Sequence, residues 1–279
     1  MAKIFVSDRE LFKNWLENDI EYDEYSLSND TDFLEWKEKY PDNYQVLLLQ
    51  DLCENNIILK TLPTFMFSIT EIVILSLHNN KLEELPDLFD NLINIKELYL
   101  GNNKLKKIPG SICNLENLEL LYIFKNELEI LPNNIGNLVN IKELYLSKNK
   151  LEEIPDSINN LSTLEDLKIS NNKLETIPEL LYGLENLHIL EIHKNNISDI
   201  SSINQITNLV KLLVDLPFNN NLDLTKLTKL EILRLYNLNK VKKKYKILLD
   251  KNIKPLIKFY RNESIFGFSD CNQYNVEYI

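Results

Sequence analysis

The chain reads as an α/β solenoid, in which short parallel strands stack and each is returned by a short helix or 3₁₀ turn. Three observations predict it. Apolar residues recur every 23 positions: the set Ile141, Leu144, Leu146, Leu151, Ile154, Ile158 and Leu161 has counterparts beginning at Leu118 and Leu164. Asparagine recurs on the same step, at Asn80, Asn103, Asn126, Asn149, Asn172 and Asn195. Proline follows each of the first five, at Pro86, Pro109, Pro132, Pro155 and Pro178. Self-similarity at such a period means one small unit repeated side by side.

Within a unit, Leu144 and Leu146 alternate around Tyr145, so a short strand turns both leucines inward and the tyrosine outward. The chain must then turn. The ladder asparagine sits inside that turn, where its amide meets backbone groups leaving the strand. Leu151 and Ile154 bring the chain back under the core. Pro155 fixes φ and lacks an N–H, which suits the start of a short helix or 3₁₀ turn. Ile158 and Leu161 give that turn its inner face. One coil cannot bury its own apolar side, so coils stack strand on parallel strand.

Regular units begin at Ile72, Ile95, Leu118, Ile141, Leu164 and Leu187. Counting back 23 from Ile72 places a degenerate first unit at Leu49, with Leu52, Leu59, Leu62 and Pro63 but Glu54 at an inward position. The unit at Leu187 loses the proline and is 22 residues long. The unit at Leu209 is irregular, with Pro217 in the asparagine position, and a last strand follows at Leu230–Leu235.

The pattern L-x-x-L-x-L-x-x-N-x-L-x-x-L/I-P resembles the leucine-rich repeat family in its 23-residue form. That form occurs in intracellular Ras-scaffold proteins, their plant relatives and many bacterial proteins. The resemblance covers roughly two thirds of the chain. It implies a horseshoe with a concave parallel sheet, short helices or 3₁₀ turns on the convex side, and a protein-binding role.

Three segments are expected: a helical cap over 1–45, the repeats over 46–238, and a C-terminal cap helix with a tail over 239–279. In the first, Ser7-Asp8-Arg9-Glu10 reads as a capping box. Leu11, Phe12, Trp15 and Leu16 then share one helical face, and a second helix is expected from Asp32 to Tyr40. This segment holds 12 acidic and 5 basic residues, so it reads either as a cap or as an acidic docking module. In the last, Val241, Tyr245, Leu248 and Leu249 suggest a helical face that ends at Pro255. Lys240 to Lys258 holds eight lysines and one aspartate, read as the solvated side of that helix or as a membrane-surface contact.

Composition narrows the function. A net charge of −11 and a pI near 4.9 argue against general nucleic-acid binding. Cys53, Cys113 and Cys271 have neither ligand spacing nor a disulfide framework, as expected of reduced thiols in a cytoplasmic protein. No run approaches a membrane span. Five glycines leave no phosphate-cradling loop, and the three histidines are too dispersed to share a metal. No cofactor, metal or catalytic residue is expected.

What varies between units is the outward set of each strand. Tyr99, Tyr122 and Tyr145 fall at one strand position, Phe124 and Leu120 beside them, with Glu97, Glu143 and Asp166 on the border. Lys168, Glu191 and His193 continue the same surface. Exposed aromatics ringed by charge have the composition of an interface. Stacked tyrosines also stabilise a ladder by cross-strand contact, and I-K-E-L-Y-L at both Ile95 and Ile141 is what tandem duplication would copy. The expected function is a non-catalytic, monomeric scaffold binding a protein partner on its concave face through basic and apolar contacts. The alternative is an exported or host-directed microbial factor. Truncating Tyr122 and Phe124 is expected to leave stability nearly unchanged.

Overall fold

The computed structural model describes residues 69–177, 179–216, 221–236 and 245–261, together with 4–5, 46–48, 62, 66–67, 264–266 and 274–278. The helices expected between Ser7 and Tyr40 fall outside these residues. So do Pro63, Pro178, Pro217 and Lys240 to Lys244.

Among the described residues, one sheet of twelve strands runs the length of the solenoid. It begins with β1 (Ile4–Phe5) and β2 (Val46–Leu48). The regular part follows: β3 (Ile74–Ser76), β4 (Glu97–Tyr99), β5 (Leu120–Tyr122), β6 (Glu143–Tyr145), β7 (Asp166–Lys168) and β8 (Ile189–Glu191). Next comes β9 (Lys211–Asp215), then β10 (Asn221–Leu224), which belongs to a second sheet, and β11 (Ile232–Tyr236). Neighbours from β1 to β9, and β9 with β11, pair in parallel. The return segments are 3₁₀ turns such as Gly110–Asn114 and Asp156–Asn160, each entered from a proline, Pro109 or Pro155.

The inward leucines and isoleucines make one continuous core. Leu98, Leu100, Leu121, Ile123, Leu144 and Leu146 are fully buried. Because a strand alternates, burying positions four and six of the unit forces positions three, five and seven onto the other face. The ladder asparagines are buried too, each donating to the carbonyl three residues earlier, and those from Asn103 to Asn195 also bond the preceding unit. For Asn126, the Leu105 N–H donates to Oδ1 at 3.0 Å, while Nδ2 donates to the carbonyls of Leu100 and Ile123 at 2.9 and 3.2 Å. The residue just before each of the six is left-handed: Asn79, Asn102, Lys125, Lys148, Asn171 and Lys194 have φ between 55° and 60°.

A second ladder escaped the sequence reading. Asn94, Asn117, Asn140, Asn186 and Asn208 each stand just before an inward strand residue. Each donates its amide to a carbonyl of the preceding unit, of Thr70, Ile93, Glu116, Ser162 and Glu185 respectively, at 2.7 to 2.9 Å. Thr163 fills the gap in the series by donating to the Val139 carbonyl. These side chains are exposed, so they add register more than burial.

Two expectations are corrected. The strand that pairs with Ile74–Ser76 from the N-terminal side is Val46–Leu48, 28 residues before it and not the 23 that a unit beginning at Leu49 requires. The apolar run Val46-Leu47-Leu48 supplies that strand. The C-terminal cap helix is replaced by strands β12 (Tyr245–Leu249), β13 (Leu256–Arg261), β14 (Ser264–Phe266) and β15 (Tyr274–Tyr278). Ile247 and Leu249 are buried with Leu248 between them half-buried, which is period two, not 3.6. Pro255 precedes β13 instead of ending a helix, and β13 extends the main sheet alongside β11. β12 pairs in parallel with β10 and β15. Among the described lysines of this stretch, Lys246 and Lys258 therefore sit on strands of different sheets and not on one helical face.

Candidate functional site

The register places the outward residues in rows. At the fifth position Ser76, Tyr99, Tyr122, Tyr145, Lys168 and Glu191 lie opposite one another on consecutive strands. At the third, Glu97, Leu120, Glu143, Asp166, Ile189 and Lys211 do the same. These are the rows the sequence predicts.

The tyrosines form a packed series. Tyr99 meets Tyr122 edge-on, with ring centroids 4.9 Å apart, and Tyr122 stacks on Tyr145 at 4.2 Å with planes 3° apart. Lys168 caps the series, its ammonium 3.5 Å from the centre of the Tyr145 ring, a cation–π contact. Each hydroxyl is spent on an acid of the third row. Tyr99 donates to Glu97 at 2.6 Å, Tyr122 to Glu143, and Tyr145 to Asp166 at 2.8 Å. Burial first, and then the neighbouring carboxylates, push these phenols up, Tyr122 to about 12 and Tyr99 and Tyr145 further. The acids expected only to border the aromatics are thus part of one structure with them.

Beyond the tyrosines the row turns polar. Asp166 is buried, and desolvation raises its pKa despite the Tyr145 hydroxyl and the Lys168 ammonium, 3.1 Å away. Its Oδ1 has no hydrogen-bond partner among the described residues. Glu191 pairs with Lys211 at 2.8 Å. His193 is 8% exposed and lies flat on Tyr236, centroids 3.9 Å apart, and burial pulls its pKa down to about 4. A hollow of about 460 Å³ opens here, with Lys148, Lys168 and Lys194, Ser147 and Ser170, and His193 on its walls and Phe124, Tyr145 and Tyr236 at its margins.

Phe124 does not join the tyrosines as expected. Its ring leans toward His78 at 5.4 Å, across the intervening strand. Gly101 allows this: a Cβ there would come within 2.7 Å of the Phe124 ring and 2.8 Å of His78 Nδ1. Sequence reasoning gave Gly101 no such role. It also missed Lys148, Lys194 and Ser170 as one group, for they stand at different positions of different units. Among the described residues no group of metal-ligating side chains comes together. Cys113 is free and buried, its thiol pushed up to about 12 by burial, and so is held as an unreactive thiol. No described helix is long and apolar enough to cross a membrane.

The leucine rich repeat family model matches residues 70–128 and 139–197. Solved structures share the fold. The Arabidopsis receptor kinase HAESA, in complex with the peptide hormone IDA and the co-receptor SERK1, is 24% identical with a TM-score of 0.60, covering 77% of this chain and 39% of that one. A TDR receptor is 26% identical with a TM-score of 0.56, covering 71% and 37%. The plant peptide hormone receptor RGFR1, in complex with RGF2, is 22% identical with a TM-score of 0.54, covering 78% and 38%. The chain therefore spans under two fifths of the length of these receptors. No curated protein matches it significantly. Period, strand register and family match agree: residues 70–128 and 139–197 are leucine-rich repeats, and the solenoid is built on them.

Proposed function

We propose that the protein is a non-catalytic interaction module that binds a protein or peptide partner on its concave face, centred on Tyr99, Tyr122 and Tyr145. The observation that supports this reading most is the half-buried aromatic series itself, open to one side and capped by Lys168. Rings already held by stacking lose little freedom on binding, and a tyrosine presents a large apolar area on only two side-chain torsions. Glu97 and Glu143 each commit one recorded oxygen to a tyrosine. Their other oxygens suit basic groups on the partner, so basic and apolar contacts remain the expected chemistry at this end. The HAESA–IDA and RGFR1–RGF2 complexes are instances of peptides held by proteins of this fold. The reading extends to a monomer acting as a scaffold in the cytoplasm, which fractionation of the producing cell tests.

The deciding experiment is capture of the partner followed by titration. Tyr122→Ala with Phe124→Ala weakens binding by about 30-fold or more, the size of a hot-spot loss. Asp156→Ala, on an exposed 3₁₀ turn of the convex side, leaves affinity unchanged. The opposite pattern moves the binding surface to the convex side.

A further inference from the structure

The hollow beyond the tyrosines holds a buried polar atom that is unpartnered among the described residues. His193 Nδ1 has no hydrogen-bond partner among the described residues, although the ring is nine-tenths buried and fixed by its stack on Tyr236. Ser170 donates to the Ser147 hydroxyl at 3.0 Å, which leaves the Ser147 proton unspent. Buried polar atoms are rarely left unpaired unless water, an ion or a ligand completes them.

The backbone places two of the lysines that line the hollow. The residue before each ladder asparagine is left-handed. Asparagine tolerates that conformation and stands there at Asn79, Asn102 and Asn171. Lysine stands there at Lys125, Lys148 and Lys194, and the last two line the hollow. With Lys168, which is paired with Asp166 at 3.1 Å, three lysines line a hollow whose one lining carboxylate, Glu191, is bonded by Lys211. This stands out in a chain of net charge −11.

We propose that this hollow binds an anionic group of the partner segment, a carboxylate or a phosphate monoester carried beside an aromatic or apolar group. Lys148 and Lys194 supply charge, the Ser147 hydroxyl and His193 Nδ1 supply hydrogen bonds, and Tyr236 and Phe124 flank the neighbouring apolar group. The inference rests on the concave-face reading and adds a polarity to it. The partner lies with its basic groups toward Glu97 and Glu143 and its anion toward Lys148 and Lys194.

Small probes test this without the partner, so the outcome is separate from that of the Tyr122 and Phe124 titration. Phenyl phosphate and phenylacetate are titrated against the full chain and followed by protein-observed NMR, with benzylamine as the probe of opposite charge. Lys148→Asn with Lys194→Asn is the chosen variant, because the chain itself uses asparagine at this position. It lowers affinity for the anionic probes at least tenfold while raising the thermal midpoint. Lys125→Asn, at the same backbone position but outside the hollow, raises the midpoint alike and leaves probe affinity unchanged. His193→Phe keeps the stack, removes the nitrogen and weakens the probes about threefold. Binding of either anion supports the site, and their ratio assigns carboxylate or phosphate. Equal affinity in parent and double variant, benzylamine binding as tightly as phenyl phosphate, or no anion binding to the parent overturns it.

Discussion

The two halves of the concave face use the same backbone in opposite ways. From β4 to β6 the outward side chains are partners to one another: each tyrosine packs on its neighbour and gives its hydroxyl to an acid. From β7 to β11 the polar atoms outnumber the partners, and Asp166 Oδ1, His193 Nδ1 and Arg234 Nε are buried without a hydrogen bond among the described residues. One half stabilises itself and offers a surface; the other carries unmet polar groups and offers bonds. A repeat scaffold permits this because the core beneath is the same in both, so the outward rows are free to diverge.

The largest expected effect tests whether the core is the same under both halves. Asn126→Leu lies under the aromatic half and Asn195→Leu under the polar half. Each removes three short hydrogen bonds, one accepted from a leucine N–H and two donated to carbonyls. At about 1–3 kcal/mol for each buried backbone group left unpaired, both lose more than about 3 kcal/mol in denaturant unfolding, and by similar amounts. Exposed Asn133→Leu changes little. A large difference between the two would show that the halves differ below the surface as well as on it.

Titration separates the halves by sign. His193 has a folded pKa of about 4, below the 6.5 of a free histidine, so the unfolded chain binds more protons between those values. The polar half is therefore fully stabilising above pH 6.5 and loses about 3 kcal/mol as pH falls toward 4. Asp166, with its raised pKa, acts in the other direction as its carboxyl protonates. In the aromatic half the tyrosine pKa values are raised, Tyr122 from 10 to about 12, so stability present below pH 10 is lost as pH rises through 12. Thermal midpoints across pH check both ends. His193→Phe flattens the acid side alone, and Tyr122→Phe softens the alkaline side alone.

A smaller effect concerns Tyr122 itself. Sequence reasoning expected its truncation to spare stability, on the ground that the ring faces outward. The ring has a neighbour on each side, and an aromatic pair contributes about 0.5–1.5 kcal/mol beyond area. Tyr122→Ala therefore costs about 2 kcal/mol by chemical denaturation. The smallest effect is at Gly101→Ala, where the new methyl displaces the Phe124 ring. The cost is under about 1 kcal/mol, because rings and not backbone must give way. Its signature is a changed aromatic environment by NMR.

The strands, their register and the asparagine ladder were legible because each repeats with the unit, and six copies average out local noise. The rows of outward residues followed from the period alone, and Tyr99, Tyr122 and Tyr145 do lie in one. What did not repeat did not show. Glu97 accepting from Tyr99 on its own strand, while Glu143 takes Tyr122 from the preceding one, depends on side-chain reach and not on spacing. The lysines of the hollow are scattered across strand and turn positions, joined only by the stacking of units. At the C-terminal end, Val241, Tyr245, Leu248 and Leu249 were read at helical spacing. The strand from Tyr245 instead follows Ile247 and Leu249, an alternation too short to declare itself without its partner strands. The second asparagine series was visible in the sequence and simply went unread, having no inward residue to draw attention to it.

The amide bonds of the two asparagine series have a consequence for how such a gene can change. Between units they join only neighbours, reaching 21 to 26 residues along the chain and no further. A full unit is thus the smallest stretch of coding sequence that can be gained or lost with both series reclosing over the join. The identical runs Ile95–Leu100 and Ile141–Leu146 are the kind of mark such a copying event leaves. Each added copy would lengthen the outward rows by one strand and hand selection a fresh set of side chains, while the interior inherits its fit unaltered.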